Sequence, residues 1–192
     1  ILDCNVLDTP PGALLVEIQA NAWTLPRYPW KFRAQIEYRL ELNRLSIHFR
    51  VDNQDTTPLP FALGFHPYFY VKDVLDKAKV RIPTTATQAF DNTEKRVVPF
   101  QGFDLTQPEV DLHLLDHGQS HCSLELPDGA RIELRASAEL KRWVVWTLTK
   151  KDFVCLEPWS APGDALNTGE DVISVQPGAA HEAHLEIEYF RA

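Results

Sequence analysis

The sequence has no methionine, not even at position 1, and begins Ile1-Leu-Asp-Cys4 without the pattern of a signal peptide. That opening reads as the start of the C-terminal part of a longer protein. Cysteine is scarce as well. Cys4, Cys122 and Cys155 are odd in number, widely spaced and without a CxxC, so neither a zinc knuckle nor a redox pair is indicated. Two of the three lie in strand-like apolar runs, where a free cysteine behaves as a small buried hydrophobe; they read as reduced, in a cytoplasmic protein. No run approaches the roughly 20 apolar residues of a membrane helix, and no membrane partner is expected. Positive charge is thin: 19 Lys and Arg stand against 27 Asp and Glu, a net charge of −8. The basic stretches at Arg27–Arg33 and Lys141-Arg142 are short and interrupted, whereas a nucleic-acid surface needs clustered cations. Nucleic acid is therefore not an expected partner.

Helical periodicity is nearly missing too; Ala136–Lys141 could make one turn. What remains is strand. In Phe32–Glu41, Phe32, Ala34, Ile36, Tyr38 and Leu40 alternate with Arg33, Gln35, Glu37, Arg39 and Glu41, and Leu45–Val51 repeats the pattern. The gap around Asn43 predicts a hairpin, and Asp128-Gly129 predicts another within Ser123–Leu134. Further strands are expected at Ala13–Ala20, Lys77–Pro83, Arg96–Phe100, Trp143–Thr149, Phe153–Glu157, Asp171–Gln176 and Glu182–Phe190, with Phe100–Ser120 irregular. Roughly a dozen short strands separated by turn signals imply an all-β fold, a large antiparallel β-sandwich or barrel. With 192 residues, 44% of them apolar, and no repeat or linker, residues 1–192 read as one domain.

Two stretches carry the chemistry. In Pro60-Phe-Ala-Leu-Gly-Phe-His-Pro-Tyr-Phe69, His66 is followed by a proline that biases it towards extended backbone, with Phe65 and Tyr68 beside it. An imidazole exchanges protons near neutrality. In Phe153-Val-Cys-Leu-Glu-Pro-Trp159, Glu157 ends an apolar run and reads as half-buried, which raises a carboxylate's pKa unless it is paired. An imidazole and a carboxylate, each at the end of an apolar strand beside aromatic residues, point to acid–base chemistry on a sugar. A core histidine and a solvated strand-end carboxylate are the plainer readings. Of the seven histidines, His48 and His184 fall on polar strand faces. His113, His117 and His121 have helical metal-ligand spacing, but Gly118 and the loop-like sequence argue against the helix.

The Pro-Leu-Pro-Phe-Ala-Leu-Gly-Phe-His-Pro-Tyr-Phe run, with Val110-Asp-Leu-His-Leu114, Val154-Cys-Leu-Glu-Pro-Trp159 and Val175-Gln-Pro-Gly178 in order, resembles the aldose 1-epimerase (galactose mutarotase-like) family. The closest likeness is to its hexose-6-phosphate 1-epimerase-like branch. The resemblance implies a galactose mutarotase-like supersandwich, here lacking its N-terminal strands. It also implies a hexose or hexose phosphate as the small-molecule partner and neither metal nor organic cofactor. Glu157 would be the general base and His66 the general acid; Asp111 would hold a sugar hydroxyl, Trp159 would stack on the ring and Tyr68 would line the site. Ala179 stands where an acidic residue is common, and no segment matching the family's upstream substrate-binding residues precedes Ile1. The alternatives are a carbohydrate-binding β-sandwich without chemistry, and a glycoside hydrolase using Glu157 with Asp111.

Overall fold

The computed structural model describes residues 4–7 and 9–192; the reading made on Ile1-Leu-Asp3 lies outside them. In chain order the elements are β1 (Cys4–Leu7), β2 (Ala13–Gln19), β3 (Phe32–Glu41), β4 (Arg44–Asn53), β5 (Leu59–Phe61), β6 (Tyr68–Tyr70), α1 (Val74–Lys77), β7 (Gln88–Asp91) and β8 (Arg96–Pro99). They continue with β9 (Glu109–Leu114), β10 (His121–Glu125), β11 (Arg131–Ala136), β12 (Arg142–Leu148), β13 (Phe153–Trp159), α2 (Ala165–Thr168), β14 (Ile173–Val175) and β15 (Ala180–Phe190). A seven-stranded sheet runs β1-β2-β3-β4-β15-β11-β10, a six-stranded sheet β6-β13-β12-β9-β7-β8, and β14 pairs with β5. The fold is an antiparallel all-β sandwich.

The core follows from alternation along the strands. Val110 and Leu114 of β9, Trp143 and Val145 of β12, and Val154 and Leu156 of β13 meet Ile47, Leu124, Leu134 and Leu185 of the larger sheet in one buried cluster. The other parity of β9, β12 and β13 therefore faces away from that core. A second cluster, Ala34, Val51, Leu59, Phe61 and Val175, ties the small β5–β14 ladder to β3 and β4.

Both hairpins form. β3 and β4 close with Glu41 opposite Arg44. In the other, Leu126 N–H donates to Ala130 O (2.8 Å), Gly129 N–H donates to Leu126 O (3.0 Å), and Gly129 has φ 86°. The loop is thus a Pro127-Asp128-Gly129 turn ending in a left-handed glycine, one residue longer than a two-residue Asp-Gly turn. Three expectations are corrected. Lys77–Pro83 is not a strand: Asp73 caps α1 by accepting from Leu75 and Asp76 N–H, and buried Lys77 donates to Leu148 O (2.7 Å) and Lys151 O (2.6 Å). Phe100–Ser120 contains β9, and β7 forms in a stretch where no strand was expected. Ala136–Lys141 holds a turn, Leu140 N–H to Ser137 O, rather than a helix.

Candidate active site

The away-facing surface of the six-stranded sheet gathers side chains that the sequence scatters. Strand register puts Trp146 between Asp111 and Cys155, and Val144 between His113 and Glu157. Arg142 lies opposite Trp159, and Tyr68 opposite Cys155. Cross-strand rows thus run Tyr68-Cys155-Trp146-Asp111 and Glu157-Val144-His113, the latter ending on Phe90 of β7.

His66 reaches this surface from outside the regular ladder. Gly64 bridges Trp159 and Tyr68 pairs with Cys155, so the same register carried between them sets His66 across from Glu157. Pro67 and Pro158 have no N–H to give, and the strand lapses there: His66 lies in extended backbone before β6, not at a strand end as the sequence suggested. Phe65 N–H still donates to Pro158 O (3.1 Å), and before it Leu63 O accepts from Ser160 N–H while Leu63 N–H donates to Ser160 Oγ. Gly64 is obligatory here, since a Cβ would stand 2.8 Å from the Trp159 ring.

His66 Nε2 lies 3.4 Å from Glu157 Oε1, with the histidine side chain 45% exposed and the carboxylate 1%. Glu157 sits within β13 rather than at its end and is fully buried, not half-buried. Trp159 Nε1–H donates to its Oε2 at 3.0 Å. Burial pushes Glu157 up to about 8; the Trp159 bond pulls the other way, and the Asp111 charge adds to the rise. The His66 ring stacks on Tyr68 (centroids 4.9 Å apart, planes 11° apart) and meets the edge of Trp146. Those two rings flank the imidazole without a hydrogen bond to it.

Asp111 is held differently. Asn92 Nδ2 donates to it at 2.6 Å, and His113 Nε2 stands 3.2 Å from its other oxygen, in contact but out of line for a hydrogen bond. Burial pushes Asp111 upward, yet His113 and Asn92 outweigh it and hold the carboxyl below its usual range. The two carboxyls on this surface are thus driven apart, Glu157 towards holding a proton and Asp111 towards losing one.

His66, Tyr68, Asp111, Val144, Trp146, Glu157 and Trp159 line an inner pocket of about 170 Å³. Trp159 also forms a wall of a larger cleft of about 570 Å³ bounded by His113, Arg142, Lys95 and the Pro162–Asp164 loop. All five residues singled out from the sequence (His66, Tyr68, Asp111, Glu157 and Trp159) come together in the inner pocket. Asn92, His113, Arg142 and Trp146 were not singled out, although the alternation Asp111-x-His113 placed His113 on the same face. The other two histidines of the helical spacing diverge: His117 accepts from Thr84 Oγ1 (2.7 Å) and donates to His121 O (2.9 Å), while His121 lies on β10 of the other sheet.

The fold has counterparts among solved structures. The Slr1438 protein from Synechocystis sp. PCC 6803 superposes with a TM-score of 0.93 at 29% identity over 98% of this chain, and this chain spans 66% of its length. A galactose mutarotase-like protein from Lactobacillus casei ATCC 334 (TM-score 0.79, 22% identity, 98% of this chain and 73% of that one) shares the fold. So does a galactose mutarotase-like protein from Clostridium acetobutylicum (TM-score 0.77, 14% identity, 98% and 67%). No curated protein sequence matches significantly. The aldose 1-epimerase family profile matches residues 12–188, and the chain belongs to that family.

Proposed function

We propose that the protein interconverts the α and β anomers of a hexose, free or 6-phosphorylated, by proton transfer alone. The observation that carries the reading is the pairing of buried Glu157 with half-exposed His66 at 3.4 Å in a pocket walled by Tyr68, Trp146 and Trp159. Ring opening takes a proton from the C1 hydroxyl and gives one to the ring oxygen. Both oxygens are bonded to C1, so the base and the acid must stand within a few ångströms of each other, as these two do.

Glu157 takes the hydroxyl proton while protonated His66 donates to the ring oxygen. The C1–O5 bond breaks and the C1=O bond forms. Rotation about C1–C2 presents the other face of the aldehyde, and closure runs the transfers backwards: Glu157 returns its proton to the carbonyl oxygen and His66 takes back the one from O5. No atom is gained or lost. A carboxylate made more basic by burial suits this step, since catalytic groups work best with a pKa near the operating pH. Asp111, kept ionised by His113 and Asn92, accepts a hydrogen bond from a sugar hydroxyl, and Trp159 offers an apolar face to the ring. The family membership supports the same reading.

The test follows pure α-anomers of galactose, glucose and glucose 6-phosphate to equilibrium by polarimetry or NMR. Wild type is expected to accelerate the approach, and His66→Ala and Glu157→Gln are each expected to lose roughly 10²–10⁴-fold. Near-normal turnover by Glu157→Gln sinks the mechanism. Sugar-induced shifts without acceleration in wild type would make the surface a carbohydrate-binding site instead.

A further inference from the structure

Cys155 takes no part in the proton transfers, yet it stands among the groups that do. It lies two residues from Glu157 on the same strand, so the two side chains share a face. His66 comes over both from the neighbouring segment. The ligating atoms of His66, Cys155 and Glu157 all lie within 4.8 Å of one another. We propose that these three side chains form a site for a thiophilic divalent cation such as Zn²⁺, and that its occupation blocks the acid–base pair.

The geometry is near what tetrahedral zinc requires. With Zn–N and Zn–O near 2.0–2.1 Å and Zn–S near 2.3 Å, neighbouring ligand atoms stand about 3.3–3.6 Å apart. His66 Nε2 and Glu157 Oε1 are already at 3.4 Å, so the thiol side has to close by at most about 1.3 Å. The groups differ in how easily they adjust. Glu157 is buried and tied to Trp159 Nε1. His66 is half-exposed, and among the described residues its ring makes stacking and edge contacts but no hydrogen bond. It can swing to complete the set and leaves a fourth position open towards the pocket.

The donor set decides the ion. One thiolate, one imidazole and one carboxylate suit zinc, or cobalt as its spectroscopic substitute. Magnesium and calcium take oxygen ligands and are not expected to compete. On binding, the Cys155 S–H bond breaks, its proton goes to solvent, and the sulfur pair forms the S–Zn bond. The His66 Nε2 lone pair and a Glu157 oxygen, whose own proton also leaves to solvent, complete the site without any change of oxidation state. The Nε2 that would carry a proton to the sugar and the carboxylate that would take one are then both occupied. The inhibitory half of the proposal rests on the epimerase reading; the binding half does not.

The probe is Co²⁺ titrated into the full chain with a non-chelating reductant present, followed by back-titration with Zn²⁺. A thiolate-to-cobalt charge-transfer band is expected in the near ultraviolet, saturating at one equivalent, erased by Zn²⁺ and untouched by Mg²⁺. Cys155→Ala should lose the band. His66→Ala changes a half-exposed position, leaves the packing around Cys155 in place, and should weaken zinc at least about tenfold. A band that survives in Cys155→Ala, or affinity unchanged in His66→Ala, overturns the site. In the anomerisation assay Zn²⁺ should inhibit wild type over the range in which it displaces cobalt, and Cys155→Ala should be insensitive over that range. A band without anomerisation at any zinc level keeps the cation site and removes the epimerase reading; anomerisation without a band does the reverse.

Discussion

Glu157 shows most plainly what a single residue gives up for a site. Among the described residues its carboxyl faces one carboxylate neighbour, Asp111, one half-exposed imidazole, His66, one thiol, Cys155, and one indole donor, Trp159. Burial holds its pKa at about 8 in the folded protein against 4.5 ordinarily. The sign follows from linkage. Between those two values the folded state keeps a proton that the unfolded state has released, so stability falls as pH rises through this window and levels off above about 8. Ionising Glu157 therefore costs the fold on the order of a few kcal/mol. Thermal or urea melts from pH 5 to 9 should show a decline in wild type that Glu157→Gln lacks, the variant being the more stable protein at pH 9. Trp159→Phe keeps the ring but removes the donor that holds Glu157 down, so its decline should extend to higher pH. Parallel pH profiles for wild type and Glu157→Gln would show that the carboxyl is not strained by burial.

At the scale of elements, the surface depends on how β12 and β13 are held at their turn. Lys77, at the end of the four-residue α1, is buried and caps carbonyls of Leu148 and Lys151 across that hairpin, with its ammonium 5.7 Å from the Phe153 ring. Burial lowers its pKa, so the bonds it makes have to repay the desolvation. Lys77→Ala removes two charge-assisted hydrogen bonds, and the loss should be roughly 2–3 kcal/mol in a chemical melt. A change under about 0.5 kcal/mol would place it among ordinary surface substitutions. Nothing local in the sequence announced this arrangement. Val80 and Ile82 alternate like a strand, but they are spent on the core beneath a loop, and the capping Asp73 begins an element too short to leave a helical period. The long alternating strands β3, β4 and β15 and both hairpins were legible because one face of each is apolar or a turn residue marks the bend. β7 and β9 were not: β7 is only four residues long, and β9, although Val110-Asp-Leu-His-Leu114 alternates, is a short strand set among Gly102, Pro108 and Gly118, whose turn character outweighed it. His113, Asn92 and Arg142 stayed hidden because the sequence says nothing of which strands are neighbours. His66 and Glu157 were legible through the prolines that follow them, the residues that interrupt the ladder where the two meet.

For the molecule as a whole, both sheets bury the core between them, the six-stranded sheet turns the proposed site outward, and the charge around that surface bears on which sugar it would take. The chain carries a net charge of −8, and the large cleft inherits the imbalance. Its guanidinium, Arg142, is spoken for by Glu170 (3.0 Å) and Asp171 (3.4 Å), while Asp164 lines the same space. Lys95 remains, donating to Asn92 Oδ1 at 2.7 Å, and it faces Asp111 through that amide. The inner pocket adds Asp111 and Glu157. A doubly charged phosphate entering this field meets one loosely held cation among several carboxylates, and focusing of the field by the cleft works against it. The described chain is therefore expected to favour an unphosphorylated hexose, with kcat/KM for glucose or galactose above that for glucose 6-phosphate at low ionic strength. Raising salt shortens the Debye length to about 8 Å at 0.15 M, so the disadvantage of the phosphate should shrink as salt is added. Lys95→Ala should widen it at low salt and leave the neutral sugars unchanged. The opposite pattern, a phosphorylated sugar preferred at low salt with the preference fading as salt rises, would mean that cations beyond these residues face the cleft and dominate its field.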